Sequence, residues 1–320
     1  MSRPAPTAPL LSARHLKISA RLHSFWPWRR RLVRAVDDLH LDLRAGETLG
    51  LVGETGAGKT ALAQTLAGER APDSGSIRYN GRELAGLSKK DWRTLGREIR
   101  LLNATPFARV HARLRIGDCI AAPLRELSPE LDQAALAPRV TAALERVGLP
   151  AELMHAHPRE LEGLAAVRAG LARALIVPPR VLICDEPGLA LGEAERRQLL
   201  ILLTEAQREH GLALAYLTRD LQAARQISHR IAVLYLGRVM EQAGSEDLFE
   251  SPAHPYTRSL LGLAGYQPKP GKPTPPELGC VFHPRCPLME AACVRSVPSL
   301  RRTGVEHYAA CHFVAAPDAS

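Results

Sequence analysis

Apolar residues occur in short blocks whose spacing alternates between two residues and three to four, the signature of strands interleaved with helices. From Arg14 the chain alternates like a strand, and Ser24–Arg31 (SFWPWRRR) interrupts it as an exposed loop. Thr48–Val52 is a short apolar strand that runs into a glycine-rich turn, and Ala61–Leu66 reads as the helix after it. Ser76–Tyr79 predicts a strand closed by the hairpin signal Asn80-Gly81. Residues from about 117 to 175 are mostly helical by period, with breaks at Pro150 and Pro158. Arg180–Cys184 is a second apolar strand, and Glu193–His210 is an amphipathic helix stopped by Gly211. Ala213–Leu217 and Arg230–Tyr235 predict two more strands. This order implies an α/β chain with a mostly parallel sheet covered on both faces.

Composition narrows the class. The 320 residues, 46% apolar, are ample for a buried core. Aromatics are only 4%, so that core is aliphatic. The net charge of +9 is spread along the chain without a Lys-rich tail, which reads as solvated charge rather than a nucleic-acid patch. No run approaches the ~20 apolar residues of a membrane span. Met1–Arg14 lacks an apolar signal core, so the expected compartment is the cytosol, with a membrane reached only by docking. Six cysteines in that setting point to metal or buried thiols rather than disulfides. Cys119 and Cys184 stand alone and read as buried small residues. Around Gln267–Pro276 (QPKPGKPTPP) the chain becomes a linker, and the other four cysteines follow it.

Gly53-Glu54-Thr55-Gly56-Ala57-Gly58-Lys59-Thr60 fits G-x-x-x-x-G-K-[ST] in full, after a strand and before a helix. Glycines let successive backbone N–H groups curl inward around phosphates, and the helix start adds partial positive charge. Lys59 is expected to reach the terminal phosphates of ATP and the Thr60 hydroxyl to ligate Mg, with Ala61 beside them at the helix start. Val181–Glu186 (VLICDE) supplies the matching second element: the strand delivers Asp185 to the Mg shell, and Glu186 is the candidate catalytic carboxylate for polarising water.

With these motifs in place, the sequence resembles the ATP-binding subunits of oligopeptide/dipeptide ABC importers over nearly its whole length. The resemblance is carried by Ala35–Thr60, by His157-Pro158-Arg159-Glu160-Leu161, by Ile227–Glu241 (ISHRIAVLYLGRVME), by His254-Pro255-Tyr256-Thr257 and by the cysteine-rich tail. It implies an ABC-type P-loop NTPase with a RecA-like core, a β-subdomain and a helical subdomain. Residues 12–265 would form that domain, with the helical part at about 105–178; 1–11 would be a Pro/Ala-rich disordered start and 266–320 a linker and cysteine-rich extension. It also implies a head-to-tail pair of ATPase subunits sandwiching two ATPs, under two membrane permeases, with an extracytoplasmic binding protein delivering peptide. The location implied is the cytoplasmic face of the membrane, with no nucleic-acid partner.

Several positions depart from that family. The signature L-S-G-G-Q is here Leu161-Glu162-Gly163-Leu164-Ala165, which sets a carboxylate where a serine should meet the partner's γ-phosphate. At ~4 Å and an effective dielectric of ~20, like charges repel by about 4 kcal/mol. Leu164 also fills space that a glycine leaves for close approach. Ala104 takes the place of the glutamine that senses Mg and water, and Gly192 that of the aspartate in S-A-L-D. Arg219 replaces the switch histidine; it can still touch a γ-phosphate but cannot titrate near neutrality. The adenine-stacking position reads Ala20, for which Phe25, Trp26 or Trp28 would have to substitute if they are not simply anchoring a surface loop. Groups that hold nucleotide survive, and groups that sense its third phosphate are lost. The expectation is an ATP-binding subunit with weak turnover that relies on a partner ATPase in a heterodimer. The alternative is a non-catalytic subunit of the same importer, or of a nickel, opine or antimicrobial-peptide importer. A soluble ATPase acting on nucleic acid or ribosomes fits less well, since such members carry two cassettes per chain and this chain has one P-loop.

Cys280, Cys286, Cys293 and Cys311 lack the paired C-x2-C knuckles usual for zinc. Four widely spaced thiolates suit an iron–sulfur cluster, and a [4Fe-4S] cluster is what the resemblance implies, with zinc as the alternative.

Overall fold

The computed structural model describes residues 8–21, 32–84, 86–108, 110–111, 113–271, 275–276 and 278–314. Phe25, Trp26 and Trp28 lie outside the described residues, as do parts of the expected disordered start and linker. In chain order the elements are β1 (Leu11–Arg21), β2 (Leu32–Leu43), β3 (Thr48–Val52), α1 (Lys59–Leu66), β4 (Ser74–Tyr79), β5 (Arg82–Glu83), α2 (Lys89–Leu95) and β6 (Ile99–Asn103). Then come α3 (Ile116–Leu127), α4 (Gln133–Arg146), α5 (Gly163–Leu175), β7 (Val181–Asp185), α6 (Glu193–His210), β8 (Ala213–Thr218) and α7 (Leu221–Ile227). The last third holds β9 (Arg230–Tyr235), β10 (Arg238–Gly244), α8 (Ser245–Glu250), α9 (Pro255–Leu260), α10 (Ala291–Arg295), β11 (Arg301–Gly304) and β12 (His307–Ala309). Among the described residues no helix is long and apolar enough to cross a membrane. The chain divides into two compact units, one drawn from residues 1–44, 48–85 and 216–320, the other from 45–47 and 86–215.

In the first unit β1 lies antiparallel between β2 and β4, and β5 completes the small sheet. The buried positions of β1 switch parity, from Leu11 and Ala13 to Leu16 and Ile18. β2 switches likewise, from Val36 to Leu39, Leu41 and Leu43. A strict two-residue period would turn half of each strand towards water. Bulges correct this: the pairing shifts between Ala13 and Leu16, where His15 has φ 49°, and Asp38 opposite has φ 57°. The strand thus begins at Leu11 and not at Arg14, and Leu10 and Leu11 are buried, so the ordered fold starts earlier than the expected boundary after residue 11.

β3 and β9, every residue of both buried, pair in parallel. β9, β10, β12 and β11 then follow in antiparallel succession. The sequence showed neither β10 nor the small β11–β12 hairpin. Residues 266–320 were expected as an appended extension; their described part belongs to the same compact unit as β3 and α1. The reason is a shared core, in which Phe282, Cys280, Cys286 and Cys293 pack with Val52, Val233, Tyr235, Met240 and Tyr256. A buried carboxylate locks this together. Glu241 is fully buried and accepts from the N–H groups of Ala253 (2.7 Å) and His254 (2.9 Å) while contacting His307 Nε2 at 2.6 Å.

In the second unit β6 and β7 run parallel, from Ile99 beside Val181 to Asn103 beside Asp185. Helices α3, α4, α5 and α6 belong to the same unit. α5 passes close to the exit of β6 because Gly170 has no side chain; a β-carbon there would lie 2.5 Å from Pro106. α6 covers Glu193–His210, as its period predicts, and ends at Gly211 with φ 59°.

His254 provides a pH test of the first unit. Its imidazole is buried, caps α9 by accepting from Tyr256 N–H at 2.9 Å, and has its pKa pushed down to about 4 by burial. The folded state keeps the ring neutral where an unfolded chain, titrating near 6.5, takes up a proton. Stability is therefore complete above pH 6.5 and falls as the pH drops towards 4, by up to about 3 kcal/mol. Urea unfolding at a series of pH values checks this: His254→Asn, which keeps an acceptor, should show a flatter profile between pH 6.5 and 4 than the wild type.

Candidate functional site: a phosphate-binding loop

The loop after β3 is shaped by contacts that exclude side chains. At Gly53 a β-carbon would sit 2.4 Å from the Leu234 carbonyl oxygen, and at Gly58 2.0 Å from that of Ala35. Gly58 also has φ 96°, a left-handed turn that brings the chain into α1. Backbone bonds brace the loop on two sides. Gly53 N–H donates to Thr218 O at 3.3 Å, and Ala57 O accepts from Gly237 N–H at 3.1 Å. Gly237 belongs to the tight β9–β10 turn, where Leu236 and Gly237 both have positive φ.

Within this frame Thr55, Gly56 and Thr60 are exposed, while Ala57, Lys59 and Ala61 are buried. The Lys59 ammonium curls back over the loop, donating to Gly53 O at 2.7 Å and Glu54 O at 3.1 Å. The first intrahelical bond of α1 runs from Leu62 N–H to Gly58 O at 2.9 Å, so the positive end of the helix opens at Lys59–Ala61. A cation, a helix start and a glycine turn at one place make an anion cradle, and they fit a nucleotide triphosphate. Arg219, also in the first unit, follows the Thr218 whose carbonyl holds Gly53. Its side chain is exposed at the start of α7, where Asp220 caps the helix by accepting from Ala223 N–H at 3.0 Å.

The remaining nucleotide-site candidates lie in the second unit. Asp185 ends β7 and is 8% exposed; Glu186 follows at φ 47°, a left-handed conformation that costs a non-glycine residue about 1–3 kcal/mol. Ala104 comes just after β6, and the Oδ1 of its neighbour Asn103 is buried without a hydrogen-bond partner among the described residues. Glu162 stands exposed as the N-cap of α5, making no side-chain cap bond, and Gly163 has φ 52°. Leu164, next along α5, is 8% exposed. Gly192, at the position expected to be aspartate, caps α6 by donating its N–H to Glu195 Oε2 at 3.1 Å.

The four C-terminal cysteines line one cavity but do not form a compact ligand group among the described residues. Cys280, Cys286 and Cys293 are buried, Cys311 is partly exposed, and all four line one cavity of about 1020 Å³. Burial pushes the Cys280 thiol up to about 11 and raises those of Cys286 and Cys311. Among the described residues no three of these sulfurs lie within 4.8 Å of one another. Tetrahedral zinc, with Zn–S near ~2.3 Å, needs sulfurs about 3.8 Å apart. Among the described residues the thiols are therefore not gathered into a preformed zinc ligand set. Cys119 and Cys184 are buried in the second unit, and burial raises both thiols.

Comparison with known proteins places this geometry. Residues 36–188 match the ABC transporter family, and residues 240–293 match the oligopeptide/dipeptide transporter C-terminal region. The oligopeptide transport ATP-binding protein OppF of Escherichia coli K12 is 36% identical over 303 residues, covering 89% of this chain and 90% of that protein. The chain belongs to the ATP-binding subunits of oligopeptide-type ABC importers. OppF of Haemophilus influenzae is 34% identical, covering 94% of this chain and 96% of its own length. The fold is shared with MJ0796, described as a dimeric bacterial ABC transporter cassette, at 18% identity and TM-score 0.65 over 73% of this chain and 98% of that one. It is shared too with cbiO1 of Clostridium perfringens, at 22% identity and TM-score 0.63 over 79% and 96%. For an ABC importer ATPase subunit, the ligands of the cradle are ATP and Mg, and transmembrane permeases are the partners.

Two features of this importer subunit had no signal in the local motif: the Glu241 network and an ion pair from Arg285 to the loop residue Glu54 (3.0 Å). Both join residues far apart in sequence, beyond the reach of spacing rules. For the loop itself, Lys59→Ala should weaken Mg·ADP binding at least about tenfold in titration calorimetry, since a charge-assisted contact is lost. Gly58→Ala should both weaken binding and lower the melting temperature, because its β-carbon meets backbone.

Proposed function

We propose that this subunit grips ATP but turns it over slowly, and that most hydrolysis in its importer falls to a second, different ATPase subunit. The observation that carries this is an asymmetry of chemistry. The loop 53–60 is intact and braced by backbone contacts, whereas Ala104, Glu162, Gly192 and Arg219 stand where the family has groups that sense the third phosphate. Lys59 and the amides of the loop would hold the phosphates; the Thr60 hydroxyl and Asp185 would hold Mg, which supplies charge neutralisation. Glu186 retains a carboxylate able to orient water, but without a titratable histidine at position 219 or a glutamine at 104 that water is poorly fixed. Glu162 adds a negative charge on an exposed helix start, where a partner's γ-phosphate would approach.

In this reading the subunit pairs head-to-tail with the second ATPase beneath two permeases, at the cytoplasmic face of the membrane. An extracytoplasmic protein delivers the solute, and peptide is the class that the relatives' names support. Nucleic acid has no part in it.

We further propose that Cys280, Cys286, Cys293 and Cys311 hold a [4Fe-4S] cluster, supported by four cysteines that line one cavity and lack the paired C-x2-C knuckles usual for zinc. Such a cluster would staple a segment that supplies little core of its own. Metal binding would have to deprotonate thiols that burial keeps neutral.

Steady-state ATPase of the purified importer tests the first part. Glu186→Gln in this subunit should leave the rate within about twofold of wild type, as expected when a partner supplies turnover. A normal rate that collapses in this variant would refute the slow-subunit reading. For the second part, metal analysis of anaerobically purified protein should find iron and sulfide, lost in Cys286→Ser; zinc at one equivalent without iron would reject the cluster.

A further inference from the structure

Glu54 is a carboxylate in a turn built to hold phosphates, where its charge opposes the ligand. Its backbone groups and one carboxylate oxygen are engaged within the first unit. The N–H donates to the Tyr256 hydroxyl at 3.4 Å, the carbonyl oxygen accepts from Lys59 at 3.1 Å, and Oε2 accepts from Arg285 Nη1 at 3.0 Å. Arg285 is carried between Cys280 and Cys286. Its own backbone is fixed, N–H donating to Phe282 O at 3.0 Å and O accepting from Lys269 N–H at 2.8 Å. Its guanidinium lies 5.9 Å from the centre of the Tyr235 ring and donates to the Tyr235 hydroxyl at 3.4 Å. Phe282 packs on Tyr235 (5.3 Å) and Tyr256 (5.2 Å), so one aromatic cluster backs both the arginine and the hydroxyl that holds the loop.

The Arg285 side chain is 15% exposed and that of Glu54 34%. An ion pair so shielded is screened less than one on open surface. Two effects follow. The guanidinium cancels a negative charge that would repel the triphosphate. It also ties the second residue of the phosphate loop to the chain segment between two cysteines.

We propose that Arg285 is a positioning residue for the nucleotide loop, and that through Glu54 it makes nucleotide affinity respond to the state of the four-thiol segment. This rests on the reading of residues 53–60 as the ATP site.

The test is titration calorimetry of the full chain with Mg·ADP, with a thermal melt of each variant. Arg285→Ala should raise Kd about five- to tenfold, and Arg285→Lys should recover to within about twofold of wild type. In a Glu54→Gln background, Arg285→Ala should change Kd by less than about twofold, because the charge to be compensated is gone. Cys286→Ser should weaken binding in the wild type but not in Arg285→Ala. An unchanged Kd in Arg285→Ala, the same loss with and without Glu54, or no recovery with lysine would overturn the proposal. A Cys286→Ser effect that persists without Arg285 would overturn the link to the thiol segment. Wild-type protein that binds no nucleotide would instead remove the ATP-site reading on which the proposal stands.

Discussion

At Gly58 the backbone turns left-handed so close to the Ala35 carbonyl that a β-carbon would lie 2.0 Å from its oxygen. Only glycine satisfies that constraint, and the site depends on it. The turn directs the chain into α1, so that the positive end of the helix and the Lys59 ammonium belong to the same loop. Backbone bonds then hold the frame: Asp37 N–H to Gly237 O, Gly237 N–H to Ala57 O, and Gly53 N–H to Thr218 O. None of them relies on a flexible side chain. A loop preorganised by its backbone loses little entropy when phosphates arrive.

The same frame explains why residues well beyond the nucleotide motif matter. β9 and β10 supply the turn that reaches Ala57, and β10 carries Glu241, the buried carboxylate that gathers Ala253, His254 and His307. An unpartnered charge there would be costly, so its three contacts specify how the C-terminal segment packs. Tyr235 and Tyr256 join that packing to the loop, one under Arg285 and one at Glu54 N–H. The cysteine-bearing segment is thus part of the core that shapes the phosphate loop.

The departures from the family motifs differ in kind. Leu164 is largely buried in its own unit. Glu162 and Arg219 are exposed, and in the proposed reading they are the charged groups that a nucleotide phosphate would meet. Gly192 keeps a structural task, its amide bonded to Glu195, while lacking the carboxylate expected there. Glu186 keeps its carboxylate on a strained backbone. At these positions the backbone framework is kept, and the differences lie in side-chain charge and size.

Local order along the chain was enough to reveal the glycine loop, α6 with its glycine stop, and the buried strands β3, β7, β8 and β9. Each of these rests on interactions within a few residues: a backbone angle, a helical period, a run of apolar side chains. The four tail cysteines stand out by residue type alone, whereas the cavity that all four line is a product of folding. What the sequence alone left undecided depends on residues brought close only by folding. The bulges at His15 and Asp38 answer each other across two strands, β10 and β12 pair over more than sixty intervening residues, and Arg285 meets Glu54 across 231 positions. Spacing cannot encode such meetings, since they are set by how burial of separate apolar faces closes the chain on itself; that closure, and nothing local, put a guanidinium from the thiol segment against the loop that holds nucleotide.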